Sequence, residues 1–249
     1  MSAGVLIYCF DSEKVKYHTV ANFCISQIKK HLNLPVTVVT NASTEKFLKN
    51  NNSTVIVENK TGNKRIYKNE VVDWFNLERA KSYEYTPYDT TILLDADYFV
   101  YTNNLLQFID TGYDFLLHNK VHDLTGRTSF EYTSFSMLPI VWATVTIFKK
   151  NTTTEKIFRL IQHIQNNYSY FCNLYRIDFK NFRNDYAFAI AMHQLNINDY
   201  IPSKMSMLTT DTNILEINES GIKFQYADCI GMVKHHDVHV LNKEIPLNV

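Results

Sequence analysis

Two clusters of side chains in this 249-residue sequence could do chemistry. The first is Asp95-Ala96-Asp97, which follows the apolar run Thr-Thr-Ile-Leu-Leu and precedes Tyr-Phe-Val. With 14 aspartates in the chain, about one such triplet arises by chance. Position therefore carries the argument. Carboxylates at the carboxyl end of a buried strand lie where open α/β sheets place ligands. In an extended chain, residues i and i+2 point the same way, and Ala96 between them is small. Two like charges so placed repel unless a cation sits with them. The plainer reading is a solvated turn that ends a strand.

The second cluster is His235-His236-Asp237-Val238-His239, three of the nine histidines within five residues. Imidazole is a good ligand for Mn²⁺ and other transition ions and a poor one for Ca²⁺. One of these rings, joined to Asp95 and Asp97, completes a mixed oxygen and nitrogen site. His236 is taken as that ligand, with His235 or His239 as alternatives, and a surface loop is the plain reading. A zinc pair at His235 and His239 on a helix is disfavoured by the valines around them.

The flanking elements must deliver these groups. Val5–Phe10 reads as a buried strand. Tyr17 to Leu32 has apolar residues at helical spacing, and Val36–Thr40 is a second strand. Such a βαβ unit implies parallel strands. Thr54–Val57 and Thr91–Leu94 are further strands, the latter ending at Asp95, and Asn69–Tyr83 reads as a helix with Val71, Val72, Phe75 and Ala80 inward. In the second half, Asp114–His118, Ile140–Phe148 and Ile230–Val233 read as strands. Glu155–Gln165 is an amphipathic helix, and Asn184 caps a helix running to about Leu195. The stretch from His122 to Pro139 reads as a long loop near the site. Its Phe130, Tyr132 and Phe135, with Trp74 and Trp142, are core by default or a platform for a substrate. The expected fold is α/β, a single domain over residues 1–249 with a mainly parallel central sheet flanked by helices.

Composition narrows the classes. Apolar residues are 45% of the chain, enough for a sizeable core. Lys+Arg and Asp+Glu are both 25, so no whole-protein basic field exists to grip nucleic acid. No apolar run reaches spanning length. The short apolar start meets acidic residues and lacks a basic flank, so a strand is expected there rather than a signal peptide. Cys9, Cys24, Cys172 and Cys229 show no metal or redox spacing and are expected to be reduced thiols in a cytoplasmic protein.

Taken in order, these motifs resemble the GT-A fold glycosyltransferases, particularly the retaining group that includes glycogenin and the bacterial lipooligosaccharide galactosyltransferases. The resemblance implies a GT-A domain with residues 1–100 as the nucleotide-binding half and 101–249 as the acceptor and sugar half. It implies that Asp95, Ala96 and Asp97 are the metal and donor triplet. It implies that the imidazole after Val233 is the third protein ligand, and that Phe10, Tyr17, Arg79 and Lys243 contact the donor. In the family a tyrosine at the place of Tyr17 stacks on uracil. The family's Asn-x-Gly element corresponds here to Trp142-Ala143-Thr144-Val145, and its Asp-Gln pair near the reacting sugar to Asn184-Asp185. Asp185 is then a catalytic or sugar-positioning carboxylate, or simply an acid at a helix N-terminus.

The implied activity is transfer of a hexosyl or pentosyl group from a nucleotide-diphosphate sugar, UDP-linked by expectation, with Mn²⁺ or Mg²⁺. The acceptor class stays open among glycan, protein and modified nucleic acid. An Asn-, Lys- and Ile-rich, Gly-poor composition points to an AT-rich genome, viral genomes among them. In that case a modified DNA base is one acceptor and the host cytoplasm the location. Two rival readings are a sugar nucleotidyltransferase, which Val5–Lys14 opposes by having no glycine, and a non-catalytic sugar-nucleotide-binding protein.

Overall fold

The structure is a computed structural model, and it describes residues 2–49, 53–57, 63–67, 70–75, 77–126, 138–178 and 181–246. In chain order the first half runs β1 (Ala3–Tyr8), α1 (Tyr17–His31), β2 (Val36–Thr40), α2 (Ala42–Glu45), β3 (Ser53–Ile56), β4 (Asn63–Tyr67) and β5 (Glu70–Trp74). A 3₁₀ turn (Leu77–Lys81) leads into α3 (Ser82–Tyr85), β6 (Thr90–Asp95) and β7 (Tyr98–Phe99). After a second 3₁₀ turn come β8 (Phe115–His118), β9 (Val121–Asp123), β10 (Trp142–Lys149), α4 (Thr152–Asn166), α5 (Tyr168–Leu174) and α6 (Asn184–Gln194). The chain closes with β11 (Met205–Leu208), β12 (Asn213–Asn218), β13 (Gly221–Tyr226), β14 (Cys229–Lys234) and β15 (Val238–Val240).

The central sheet has the order β3-β2-β1-β6-β10-β8. The first four strands are parallel, and β10 runs antiparallel to both β6 and β8. Alternation along β6 explains how both faces are covered. Ile92 and Leu94 pack toward α1 and the second sheet, whereas Leu93 packs toward α4, α5 and α6. A sheet buried on both faces needs apolar residues at nearly every position, and β6 has them. The second sheet, β7-β15-β11-β9, lies on the α1 side. A three-stranded meander, β12-β13-β14, and the hairpin β4-β5 complete the described architecture.

The expected strands and helices around residues 3–40 and 152–194 are found within a few residues of their expected bounds. The main departure is the helix expected over Asn69–Tyr83. Its first part, Glu70–Trp74, is instead a strand of the β4-β5 hairpin, and only Leu77 onward is helical. The run Val71-Val72 has β-branched side chains, and pairing with Ile66 and residue 65 overrides the helical spacing. Asn184 is the first residue of α6, not its cap. Arg183 holds the cap position in extended conformation without a side-chain cap. Of the expected loop from His122 to Pro139, residues 127–137, including Phe130, Tyr132 and Phe135, lie outside the described residues. All four cysteines are free, three of them buried. Among the described residues no helix is long and apolar enough to cross a membrane.

One buried polar group gives the fold a pH dependence. His118 ends β8 at 3% exposure, with Nδ1 2.9 Å from the Ser203 carbonyl, so the neutral ring donates there. Burial pushes its pKa down to about 4. The unfolded chain takes up a proton near pH 6.5 and the folded chain does not until about pH 4, so stability falls as pH drops through that window. Between pH 7 and pH 5 this group alone should remove about 2 kcal/mol. Urea denaturation across that range should show a smaller acid loss for His118→Asn, which keeps a donor and cannot titrate.

Candidate active site

The chain leaves the central sheet at Asp95, turns through Ala96 and Asp97, and enters the second sheet at Tyr98. The two carboxylates therefore converge across a turn rather than along an extended strand. The second sheet brings the third group. Val238 pairs with Phe99 and His239 with Tyr98, and the Val240 amide donates to the Asp97 carbonyl at 3.0 Å. Val238 and Val240 are fully buried in the core, so alternation turns His239 toward Asp95 and Asp97. Nε2 of His239 lies 3.2 Å from Asp97 Oδ1 and 3.9 Å from Asp95 Oδ2. One ligand atom from each of these three residues lies within 4.8 Å of the others.

His236, the ligand taken from the sequence, lies outside this cluster. It is exposed, and its Nε2 meets Ser206 Oγ at 2.5 Å. His235 is also exposed, in the turn after β14, with φ +52°. The turn that carries both is pinned by Asp237. That carboxylate accepts from the amides of Tyr101 and Thr102 at 2.7 and 2.8 Å and from Thr102 Oγ1 at 2.9 Å. Pinning there leaves only the strand residue, His239, facing the acids.

The ring of His239 is oriented from behind by Thr144, whose Oγ1 is 3.3 Å from Nδ1. With Nδ1–H donating to that hydroxyl, Nε2 presents a lone pair to two carboxylates. Burial lowers the pKa of His239 against the opposing pull of Asp95 and Asp185. Burial also pushes Asp95 up, but Arg79 first, then His239, a Thr144 hydrogen bond and Lys243, hold its carboxyl below the usual range. Carboxylate oxygens and an imidazole nitrogen are the donor set that Mn²⁺ accepts well and Mg²⁺ accepts through the oxygens. Their convergence fits a divalent ion.

The cations of the site have definite places. Arg79 is 5% exposed and donates to Asp95 Oδ1 at 2.6 Å, to the Ala143 carbonyl and to the Thr144 carbonyl at 3.3 Å. It lines the cavity, but these contacts make it a positioner of Asp95. The β10–β8 register shifts between Trp142 and Thr146. Ala143 sits in that irregular stretch, and its amide turns to Asp185 Oδ1 at 3.0 Å while its carbonyl meets Arg79. Asp185 Oδ2 is also 3.2 Å from Arg183. Lys243 contacts Asp97 Oδ2. Asn242 holds that segment by donating to the Thr212 carbonyl at 2.8 Å.

These groups surround a cavity of about 220 Å³. Phe10, Tyr17, Ala96, Asn184, Asp185 and Lys243 all reach its wall with the three candidate ligands. Tyr17 is delivered by the start of α1, whose Lys16 cap position has no side-chain bond. Asp11 substitutes for the cap, accepting from the His18 amide at 2.9 Å and its Nδ1 at 2.5 Å. Tyr8, Asp73 and Leu241, which the sequence does not mark, line the same cavity, as do Phe75, expected only as core, and Thr144, expected only as part of the 142–145 stretch. Asp73 and Phe75 were hidden by the helical reading of their segment. Thr144 is buried with no pattern of its own.

No protein-family profile matches the chain, and no curated protein matches it in sequence. Solved structures do match. The galactosyltransferase LgtC in complex with donor and acceptor sugar analogues is similar over 82% of this chain and 75% of that one, at 14% identity and TM-score 0.53. An active-site mutant of LgtC is similar over 75% and 68%, at 12% identity and TM-score 0.52. The apo form of the glycosyltransferase GlyE of Streptococcus pneumoniae TIGR4 matches 81% of this chain at 11% identity and TM-score 0.47. This chain spans less than half, 45%, of that protein's length. The fold is that of the GT-A glycosyltransferases.

The Arg79–Asp95 pair gives a stability prediction. Arg79→Met leaves Asp95 without its main partner. A broken buried pair costs about 3–5 kcal/mol, reduced to about 2 kcal/mol here because the Asp95 side chain is 36% exposed to the cavity. Equilibrium urea unfolding at pH 7 measures the loss.

Proposed function

We propose that the protein is a glycosyltransferase that takes its sugar from a nucleotide diphosphate, UDP-linked by preference, with Mn²⁺ or Mg²⁺ held by Asp95, Asp97 and His239. The observation that carries this reading is the convergence of those three ligand atoms at the wall of one cavity, in a GT-A fold. A divalent ion bound there supplies positive charge against the charge that builds on a leaving diphosphate.

The remaining work falls to the chain's own residues. In this reading one domain serves both substrates, with residues 1–100 chiefly gripping the nucleotide and 101–249 the sugar and acceptor. Tyr17 and Phe10, both at the cavity wall, offer aromatic faces for the base. Arg79 fixes the Asp95 carboxylate, and Thr144 fixes the His239 ring. Lys243 adds a positive charge for the diphosphate. Asp185, with one oxygen on the Ala143 amide and the other on Arg183, is held rigidly at the wall. From there it positions the sugar or takes the acceptor proton.

Incubation with UDP-sugars and Mn²⁺ should release UDP from one donor slowly even without acceptor. Asp97→Ala and His239→Ala should abolish that release, and no release from any donor would overturn the reading. Asp185→Asn should lower turnover about 100-fold while UDP affinity changes less than about twofold. Equal collapse of UDP affinity would instead assign Asp185 to the structure of the wall.

A further inference from the structure

Four carboxylates line the cavity, and three of them meet a cation that lines it too. Asp95 meets Arg79, Asp97 meets Lys243, and Asp185 meets Arg183. Asp73 of the hairpin is 3.7 Å from Lys64. Among the described residues, three of the four wall carboxylates are therefore offset by a cation of the same wall. Two of these pairings differ in what surrounds them. Arg79 is committed on three sides, to Asp95 and to two backbone carbonyls. Lys243 is 8% exposed at its side chain and reaches Asp97 from the segment after β15, with the Val240 carbonyl at 3.3 Å. Its ammonium rests on a carboxylate oxygen of a candidate metal ligand, on a flexible four-carbon stem.

We propose that Lys243 is the resident counter-ion of Asp97, occupying the metal ligand until a diphosphate draws it away. This rests on the function proposed above and deepens it. A divalent ion entering alone must compete with the ammonium for Asp97 and leaves the wall with excess positive charge. A diphosphate ester entering alone brings excess negative charge. The two together are close to neutral, and the phosphate oxygens offer Lys243 a replacement for Asp97. Ion and nucleotide then bind as a pair, each tightening the other by the same factor. The pairing is a property of Lys243, because Arg79 cannot leave Asp95 without abandoning two buried carbonyls.

Mn²⁺ alone and UDP are the probes, with Mn²⁺ affinity read by titration calorimetry or by the free-ion electron spin resonance signal. The wild-type protein should bind Mn²⁺ at least about tenfold more tightly with saturating UDP than without. Lys243→Met keeps the stem and loses the charge. It should bind Mn²⁺ alone roughly tenfold or more tightly than wild type, and most of the UDP dependence should vanish. Its melting temperature in chelator should fall, and Mn²⁺ should restore it. Lys243→Arg should behave as wild type, and Lys243→Gln serves if the methionine variant fails to fold. Should Lys243→Met bind Mn²⁺ alone no better than wild type, while wild type still binds it with UDP, the counter-ion role is overturned and the site reading stands. Should wild type bind no Mn²⁺ even with UDP, both fall.

Discussion

Carboxylates gathered at one end of a buried strand repel each other, and that repulsion sets the terms for everything built around Asp95 and Asp97. Neither acid can be moved apart, because β6 fixes the first and the turn into β7 fixes the second. Compensation has to come from elements distant in sequence. Arg79 arrives from the 3₁₀ turn before β6, His239 from β15 and Lys243 from the segment after it. The site is therefore a product of the tertiary fold, and no local segment of the chain contains it.

The hand-over between two sheets makes that convergence possible. A strand that continued past Asp95 in the central sheet would carry Asp97 away along the sheet. The turn at Ala96 and Asp97 instead delivers the chain to β7, which pairs with β15, which pairs with β11. Buried valines on either side of His239 lock its face. Asp237 does the same for the incoming turn by satisfying two amides and a hydroxyl, which is why a buried acid is tolerated there although burial raises its pKa. Residues that look like a chemical cluster in sequence are thus divided by the fold. Asp237 is structural, His235 and His236 face outward, and His239 meets the acids.

Much of this was legible beforehand, for definite reasons. The parallel βαβ start, α4 and α6 carry strong periodic patterns, and the acidic triplet stands out because apolar strands flank it. The choice among the histidines was also encoded, in the alternation Val238-His239-Val240, which places the middle residue opposite two core valines. The resemblance points only to an imidazole after Val233, and the choice of His236 among the three took no account of that period. What could not be read was long-range. The pairing of β15 with β7 joins residues about 140 apart in sequence. The 70–74 segment has valines at spacings compatible with either helix or strand, and only its partner at 63–67 decides.

That hairpin also explains why parts of the cavity wall differ in how far the sequence describes them. The acids and His239 come from the central sheet and the short strands packed beside it, where alternation constrains the positions. Other lining residues come from irregular backbone and additions to the sheet. Asp73, Trp74 and Phe75 come from the β4-β5 hairpin and its exit, Ala143 from the register shift in β10, and Arg183 from the extended segment ahead of α6. The hairpin and the segment ahead of α6 are tied to each other. The Asn63 side chain donates to the Phe182 carbonyl at 3.4 Å, and that of Asn181 to the Lys64 carbonyl. The Arg183 guanidinium lies 6.0 Å from the Trp74 ring and 5.7 Å from that of Tyr186. A wall assembled from hairpin and loop contacts can change its side chains without disturbing the sheet. The acids and His239, by contrast, are held where the two sheets meet, and no change there leaves the sheets undisturbed.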